Sequence, residues 1–204
     1  MIDTIIFDFG DVFINLDKEG AINRALNLFR IDSFDHDMIK INQAYETGLI
    51  STDTFENFYL DKYPFLSIEE LHDLWNGIIL DFPEYRLKFL KTLRQKKEYE
   101  LILLSNTNTL HIDYVKQTVP FYNDFKKLFD GFYLSHIINS RKPDREIFEK
   151  ILDIHSLNPK TCLFIDDTPE NTQSADLLGI KTWTLDPSTE DIIELDKRLT
   201  YLSL

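Results

Sequence analysis

Six polar residues of the types that phosphoryl transfer requires follow short apolar runs in the sequence, directly or after a short loop. In chain order they are Asp8, Ser105, Asn106, Lys142, Asp166 and Asp167. Two carboxylate sites would repel each other without a cation between them, and a hard divalent ion such as Mg²⁺ prefers oxygen ligands. Lys142 would add positive charge, the Ser105 hydroxyl could donate to a phosphate oxygen, and Asp8 could attack phosphorus to form an aspartyl-phosphate. The set predicts metal-dependent phosphoryl transfer.

These side chains can act together only if the runs before them are neighbouring strands of one sheet. Each run is short and apolar, which indicates a buried strand. The predicted strands are residues 5–7, 99–105, 132–135, 161–166 and 181–185. Helical patterns alternate with them at residues 85–96, 109–117, 145–154 and 169–178 and from about 190, with a loop near Pro120. This alternation predicts an α/β fold whose parallel sheet is covered on both faces and whose strand ends share one rim.

A helical segment separates the first strand from the alternating region. Its first helix has apolar residues at helical spacing, namely Ile22, Ala25, Leu26 and Phe29. We therefore expect a catalytic core of residues 1–14 and 86–204, with a helical cap of residues 15–85 inserted after the first strand. Two basic residues of the cap, Lys18 and Arg24, are expected on its solvated surface.

Start and stop signals divide the cap further. A second helix is predicted over residues 37–46 and should end before Gly48. Ser51 has the position of an N-cap for the third helix. Ser67 and Glu70 have the spacing of a capping box, which predicts the start of a fourth helix.

The composition limits the classes of partner. The chain of 204 residues has a formal net charge of −13, which argues against binding to nucleic acid or anionic membranes. The one cysteine, Cys162, excludes an intramolecular disulfide and suits a reducing compartment. No apolar run approaches the length of a membrane span, and acidic residues at the N-terminus are unlike a signal peptide. We expect a cytoplasmic protein, either a monomer or a homodimer.

The order of these residues resembles the haloacid dehalogenase (HAD) superfamily over nearly the whole chain. The four motifs of the superfamily are matched in order by residues 7–12, 101–107, 142–144 and 164–167 of this sequence, which resemble them. Within the superfamily, the stretches YETGLIS, LLSNTN, LSHIINSRKPD and FIDDTPENTQSADLLGI resemble the branch that contains glucose-1-phosphate phosphatase and the phosphatase domain of soluble epoxide hydrolase. The resemblance implies a Rossmann-like three-layer core, a helical cap after the first strand and Mg²⁺-dependent phosphatase activity on small phosphorylated metabolites, with sugar phosphates as the expected class.

The resemblance also implies roles for the residues that handle the phosphoryl group. Asp8 resembles the nucleophile, and Ser105 resembles the hydroxyl of the second motif. Asn106 would offer backbone and amide donors to the phosphate. Lys142 resembles the lysine that steadies the nucleophile and the transferring group.

The metal ligands implied by the resemblance are Asp8, the backbone carbonyl of Gly10 and one or both acids of the pair. Counting back from Gly179, Asp167 falls where the family ligand usually sits. Asp166 then takes the preceding position. Asn171, in the first turn of the next helix, would support the site.

Gly10 departs from the pattern of most phosphatases in this superfamily, which carry an aspartate there as general acid and base. We expect substrates with good leaving groups, such as sugar 1-phosphates, to be favoured without it. Asp11 is the nearest substitute in the sequence, but its side chain should point elsewhere. The departure leaves open a catalytically silent protein that binds phosphate ligands. It also counts against a phosphomutase, and the pair Asp166 and Asp167 counts against a metal-independent 2-haloacid dehalogenase.

Overall fold

The computed structural model describes residues 1–202, and within that range it has a central sheet of five parallel strands. The strands are β1 (Thr4–Phe7), β2 (Glu100–Ser105), β3 (Gly131–Leu134), β4 (Cys162–Asp166) and β5 (Lys181–Thr184). Their order across the sheet is β3-β2-β1-β4-β5, and all paired neighbours run parallel. The predicted α/β fold is therefore confirmed. Each strand begins and ends within one residue of its expected position.

Helices form the remaining layers. They are α1 (Lys18–Phe29), α2 (His36–Glu46), α3 (Thr52–Lys62), α4 (Ile68–Asn76), α5 (Glu84–Lys96), α6 (Thr109–Thr118), α7 (Tyr122–Lys126), α8 (Ser135–Ile138), α9 (Arg145–His155), α10 (Pro169–Asp176) and α11 (Leu195–Leu202). Two short 3₁₀ segments cover Pro159–Thr161 and Ile192–Glu194. Among the described residues, no helix combines the length and the apolar character needed to cross a membrane.

The continuous apolar strands are explained by burial on both faces of the sheet. Successive side chains of a strand point to opposite faces. Ile5 and Phe7 of β1 lie in one hydrophobic cluster, whereas Ile6 between them lies in a second cluster on the other face. The neighbouring strands divide in the same way, so the sheet is the middle layer of a Rossmann-like three-layer core.

Helices α1–α4 enclose a third hydrophobic cluster, formed mainly by aromatic rings. Tyr45 stacks on Phe55 with ring centroids 4.4 Å apart, and Phe29 stacks on Tyr59 at 5.4 Å. The capping box of Ser67 is present, and Ser51 caps α3 as predicted. The division of the chain into a core and a cap of residues 15–85 stays a prediction, which this separate cluster supports.

Two local expectations were wrong, and one helix was not predicted. The expected loop near Pro120 is present at residues 119–121, but helix α7 follows it, because Phe125 anchors that turn in the aromatic part of the core. Ser135 begins α8 instead of ending β3, and its hydroxyl is used in hydrogen bonds to backbone carbonyls. Ile22, expected on the buried face of α1, is half exposed because it lies at the rim of a cavity.

Candidate active site

The centre of the site is a buried lysine held between two aspartates. Lys142 Nζ donates to Asp8 Oδ1 and to Asp166 Oδ2, both at 2.6 Å. Only 1% of Lys142 is exposed. Such burial opposes its charge, but the two carboxylates outweigh it and raise the pKa of the lysine. Lys142 is therefore a fixed cation beside the predicted nucleophile.

Strand register explains why these residues meet. Phe7 at the end of β1 pairs with Leu103 of β2 and Ile165 of β4. The residues that follow each pairing therefore reach the same rim of the sheet, as predicted for Asp8 and Asp166. Strand β1 lies at the centre of the sheet, so that Ser105 and Asp166 come from its two neighbours, whereas Lys142 comes from the segment that follows β3.

Burial makes the Asp8 carboxylate unusually basic. Loss of hydration is the largest influence, and with the nearby acids it raises the pKa of Asp8 to about 7, although Lys142 acts to lower it. A cation at the site would favour the charged carboxylate.

The two acids at the end of β4 face different surroundings. Asp166 is fully buried and accepts from Lys142, from the backbone of Thr168 at 2.8 Å and from Asn171 Nδ2 at 3.0 and 3.1 Å. Asp167 lines the cavity above the sheet, and burial raises its pKa while Lys18 acts in the opposite direction. Asn171 thus lies where the predicted support was expected.

Three carboxylates could hold a metal ion together. Asp8, Asp166 and Asp167 each offer one oxygen, and these atoms lie within 4.8 Å of one another. Asp166 is already bound by three donors, whereas Asp167 faces the cavity. The geometry therefore favours Asp8 and Asp167 as the direct ligands, with Asp166 orienting Lys142.

The second strand end supplies one free hydroxyl and one structural amide. Ser105 is buried and lines the cavity, and its one described hydrogen bond is a long contact of 3.4 Å to the Asn106 carbonyl. The Asn106 side chain binds the Lys142 backbone, donating to its carbonyl and accepting from its N–H at 2.8 Å each. The Asn106 amide therefore positions Lys142. The backbone N–H of Asn106 is left as a donor for a phosphate.

The loop after β1 has no acid facing the cavity at the position of Gly10. A Cβ on Gly10 would come within 2.7 Å of Leu16 Cδ1. Asp11 adopts a left-handed backbone (φ 54°), and its Oδ1 accepts from the Leu16 N–H at 2.9 Å. Asp11 is thus held away from the cavity, and it does not replace the missing side chain.

Lys18 is the clearest correction to the expected solvated cap surface. Its Nζ lies 2.5 Å from Asp167 Oδ2 and 2.9 Å from Asp11 Oδ2. Arg24 follows the expectation more closely, because its half-exposed side chain contacts Asp17 and the Gly77 carbonyl. The sequence held no signal for Lys18, since its contacts depend on the path of the preceding loop.

Two adjoining cavities extend from the strand ends into the helices. The inner one, about 460 Å³, includes all the predicted site residues except Asp166 among its walls. The outer one, about 380 Å³, is mostly apolar and carries the amides of Asn42 and Gln43. The cavities share Glu46, Ile78, His111 and Arg141 as walls.

The shared wall contains three polar residues that were not among the predicted site residues. Arg141 Nε donates to Glu46 Oε2 at 2.7 Å, which links the end of α2 to the loop before Lys142. His111 donates from Nε2 to the Trp75 carbonyl at 3.0 Å. Burial lowers the pKa of His111 to about 4, so the ring is neutral near pH 7.

Known proteins share this arrangement of fold and sequence. D-ribitol-5-phosphate phosphatase of Bacteroides thetaiotaomicron is 30% identical over 193 residues, covering 90% of this chain and 91% of that protein. A HAD family enzyme from the same organism, solved in complex with magnesium and inorganic phosphate, has a TM-score of 0.80 and 30% identity, covering 96% of this chain and 99% of its own. A predicted HAD-like hydrolase from Porphyromonas gingivalis has a TM-score of 0.82 and 27% identity, covering 98% of each chain.

A match to the family described as haloacid dehalogenase-like hydrolase extends over residues 2–179. This range includes all the predicted site residues, from Asp8 to Asn171. With the parallel sheet and the acidic rim, it means that the chain belongs to the haloacid dehalogenase-like hydrolases.

Proposed function

We propose that the protein is a Mg²⁺-dependent phosphatase of small phosphorylated metabolites that uses Asp8 as its nucleophile. The observation that carries the proposal is the contact of Asp8 with buried Lys142 at the rim of a cavity that also exposes Ser105. A carboxylate held beside a fixed cation, with a free hydroxyl near it, has the parts required for attack on a phosphate ester.

The charge of the site fits one divalent cation. Three carboxylates, Asp8, Asp166 and Asp167, meet there with Lys142, and Lys18 links Asp167 to a fourth carboxylate, Asp11, beside the cavity. Their formal sum is −2, which one divalent ion would neutralise. Asp8 and Asp167, with the Gly10 carbonyl, would hold the ion. When bound, Mg²⁺ would offset negative charge on the phosphoryl oxygens.

The reaction would proceed in two displacements on phosphorus. In the first, an Asp8 oxygen bonds to phosphorus while the ester P–O bond breaks and the departing alcohol oxygen takes up a proton. In the second, a water oxygen bonds to phosphorus while the bond between phosphorus and Asp8 breaks, which releases inorganic phosphate and the Asp8 carboxylate, and the proton lost by the water passes to solvent. Lys142 would hold Asp8 in place, and Ser105 would donate to a phosphoryl oxygen. Because Gly10 supplies no acid, solvent would provide the proton.

We propose sugar or polyol phosphates as the substrate class. The relative that acts on D-ribitol 5-phosphate supports this class, since the two proteins align over 90% of this chain. The outer cavity supports it too, because amides and an arginine face a space large enough for a small alcohol group.

The test is phosphate release from p-nitrophenyl phosphate, D-ribitol 5-phosphate, glucose 1-phosphate and glucose 6-phosphate, with and without Mg²⁺. We expect metal-dependent release that Asp8→Asn abolishes and that Asp176→Asn, an exposed acid on α10, leaves unchanged. Acid-quenched enzyme should carry one phosphoryl group on Asp8 by mass spectrometry. Release that survives in Asp8→Asn would contradict the proposed nucleophile.

Gly10 favours one second candidate, a protein that binds phosphate ligands without turning them over. Calorimetry with inorganic phosphate and D-ribitol 5-phosphate distinguishes the two. Binding to the wild type without release from any ester in the panel would support the silent protein. Binding with turnover would support the phosphatase.

A further inference from the structure

Lys18 connects helix α1 to the acidic rim of the sheet. It is the first residue of α1, and the turn from Asp11 to Leu16 brings it back over the end of β1. Its ammonium group lies between Asp11 Oδ2 and Asp167 Oδ2, at 2.9 and 2.5 Å. A surface lysine with two such partners is a specific contact between the helices and the sheet layer.

The orientation of Asp167 depends on Lys18, whereas that of the adjacent Asp166 does not. Among the described residues, the hydrogen bond and ion pair of the Asp167 side chain are both made with Lys18. Asp166, by contrast, is held by donors of the sheet layer, Lys142, Thr168 and Asn171. The acid that faces the cavity is therefore oriented by a residue of the helical segment.

We propose that Lys18 is a positioning residue that competes with the divalent cation for Asp167. The proposal rests on the metal site of the proposed function. An ammonium group 2.5 Å from one oxygen of a metal ligand repels a cation bound to the same carboxylate. Binding of the ion would then weaken the contact between α1 and Asp167, so that metal occupancy and the seating of α1 are linked. The lysine limits metal affinity while keeping Asp167 pointed at the cavity.

Two variants with the same net charge separate this local effect from a general one. Lys18→Met removes the ammonium from the rim, and Arg24→Met removes one positive charge from the same helix, where Arg24 contacts Asp17 and Gly77. Lys18→Gln provides a second neutral variant should methionine disturb folding, and Lys18→Arg keeps the charge. Circular dichroism of each variant checks that the fold is retained.

The measurement is Mn²⁺ and Mg²⁺ affinity of the full chain by isothermal titration calorimetry, without substrate. We expect Lys18→Met and Lys18→Gln to bind about 10-fold tighter than wild type, with Arg24→Met and Lys18→Arg within about twofold. Unchanged or weaker binding in both neutral variants would overturn the proposal. The readout does not depend on turnover: tighter binding without phosphatase activity would contradict the proposed function only, and phosphatase activity with unchanged binding would contradict the role of Lys18 only.

Discussion

At the scale of single residues, buried Lys142 supplies the positive charge that balances the carboxylates of the site. Two carboxylates of the rim, Asp8 and Asp166, both contact its ammonium group. A buried carboxylate without a partner is costly, and removal of one member of a buried ion pair destabilises a protein by about 3–5 kcal/mol. We therefore expect Lys142 to stabilise the metal-free protein as well as to position Asp8.

Lys142→Met tests both roles. We expect phosphate release to be lost and the free energy of unfolding in EDTA to fall by about 3–5 kcal/mol, because two buried acids lose their shared cation. Mg²⁺ should restore part of that stability, since the ion would replace some of the lost positive charge. Urea denaturation with EDTA and with Mg²⁺ measures both effects. Lys88→Met, on the exposed surface of α5, is the control. Equal stability of Lys142→Met and the control in EDTA would contradict the argument.

Gly10 offers a test of the missing acid. The Cβ of a substituted residue would meet the flexible end of Leu16, which can move, and the backbone there needs no glycine-specific angle. Gly10→Asp should therefore fold and raise the release of poor leaving groups, such as polyol phosphates, by about 100-fold, at the low end for a positioned acid. Gly10→Asn has nearly the same shape and no acid. Steady-state rates of phosphate release are compared for the two variants. Equal rates would mean that an acid at position 10 does not protonate the leaving group.

The sequence allowed the rim to be predicted but not its connections. Asp8 follows β1, whereas Ser105 and Asp166 end β2 and β4. Parallel strands of one sheet bring these ends to the same rim, whatever lies between them in the sequence. The partners of Asp11 and Lys18 depend on one loop with a left-handed residue. Such a path follows from packing and leaves no periodic signal in the sequence.

At the scale of elements, the end of α2 is fitted closely against α8. Gly48 has a φ of +67°, and a Cβ there would lie 2.0 Å from the His136 carbonyl oxygen. Asn139 donates to the carbonyls of Thr47 and Gly48, and Ser135 donates to that of Glu46. The predicted stop at Gly48 is thus also a contact between the helical segment and the loop that leads to Lys142.

Alanine variants of two glycines separate the cost of backbone strain from the cost of crowding at the contact between α2 and α8. Gly179 has a φ of +83°, but nothing lies within 4 Å of where its Cβ would be. Gly179→Ala should cost about 1–2 kcal/mol of unfolding free energy, the strain of a left-handed residue. Gly48→Ala should cost clearly more, because a backbone oxygen must also move. Chemical denaturation measures the loss of unfolding free energy in each variant. Equal losses would show that the contact between α2 and α8 adjusts to the added methyl group without loss of stability.

Element types were predictable where local chemistry determines them. Ser67 and Glu70 form their capping box through residues three apart, so the start of α4 could be recognised from spacing alone. Helix α7 has five residues and depends on Phe125, which packs on Phe9 and Phe13, more than 100 residues earlier in the chain. Its stability comes from tertiary packing, which a local pattern does not contain.

At the scale of the whole molecule, polar contacts join the helical segment to the sheet layers. Leu110 donates its backbone N–H to Tyr45 Oη at 3.1 Å, His111 donates to the Trp75 carbonyl, and Arg141 pairs with Glu46. Most apolar residues of α1–α4 form their own hydrophobic cluster, although Leu110 of α6 packs against it and Ile79 and Phe82 belong to the cluster of the sheet layers. Polar contacts of a few groups therefore contribute to the mutual arrangement of the helical segment and the sheet layers, and among these groups His111 is the one whose pKa is lowered by burial to about 4, so that acid favours the unfolded chain.

Acidification should weaken this junction through His111. Its pKa is lowered by burial from 6.5 to about 4, so the unfolded chain binds more protons between these values. The stability that neutral His111 contributes is full above pH 6.5 and is lost as pH falls towards 4, amounting to about 2 kcal/mol between pH 7 and pH 5. His111→Gln keeps a donor for the Trp75 carbonyl but does not titrate, so its unfolding free energy should fall less over this range. Urea denaturation at several pH values measures the slopes, with His36→Gln at an exposed site as the control. If His111→Gln loses as much stability as wild type and the control, protons bind elsewhere and the junction is insensitive to this ring.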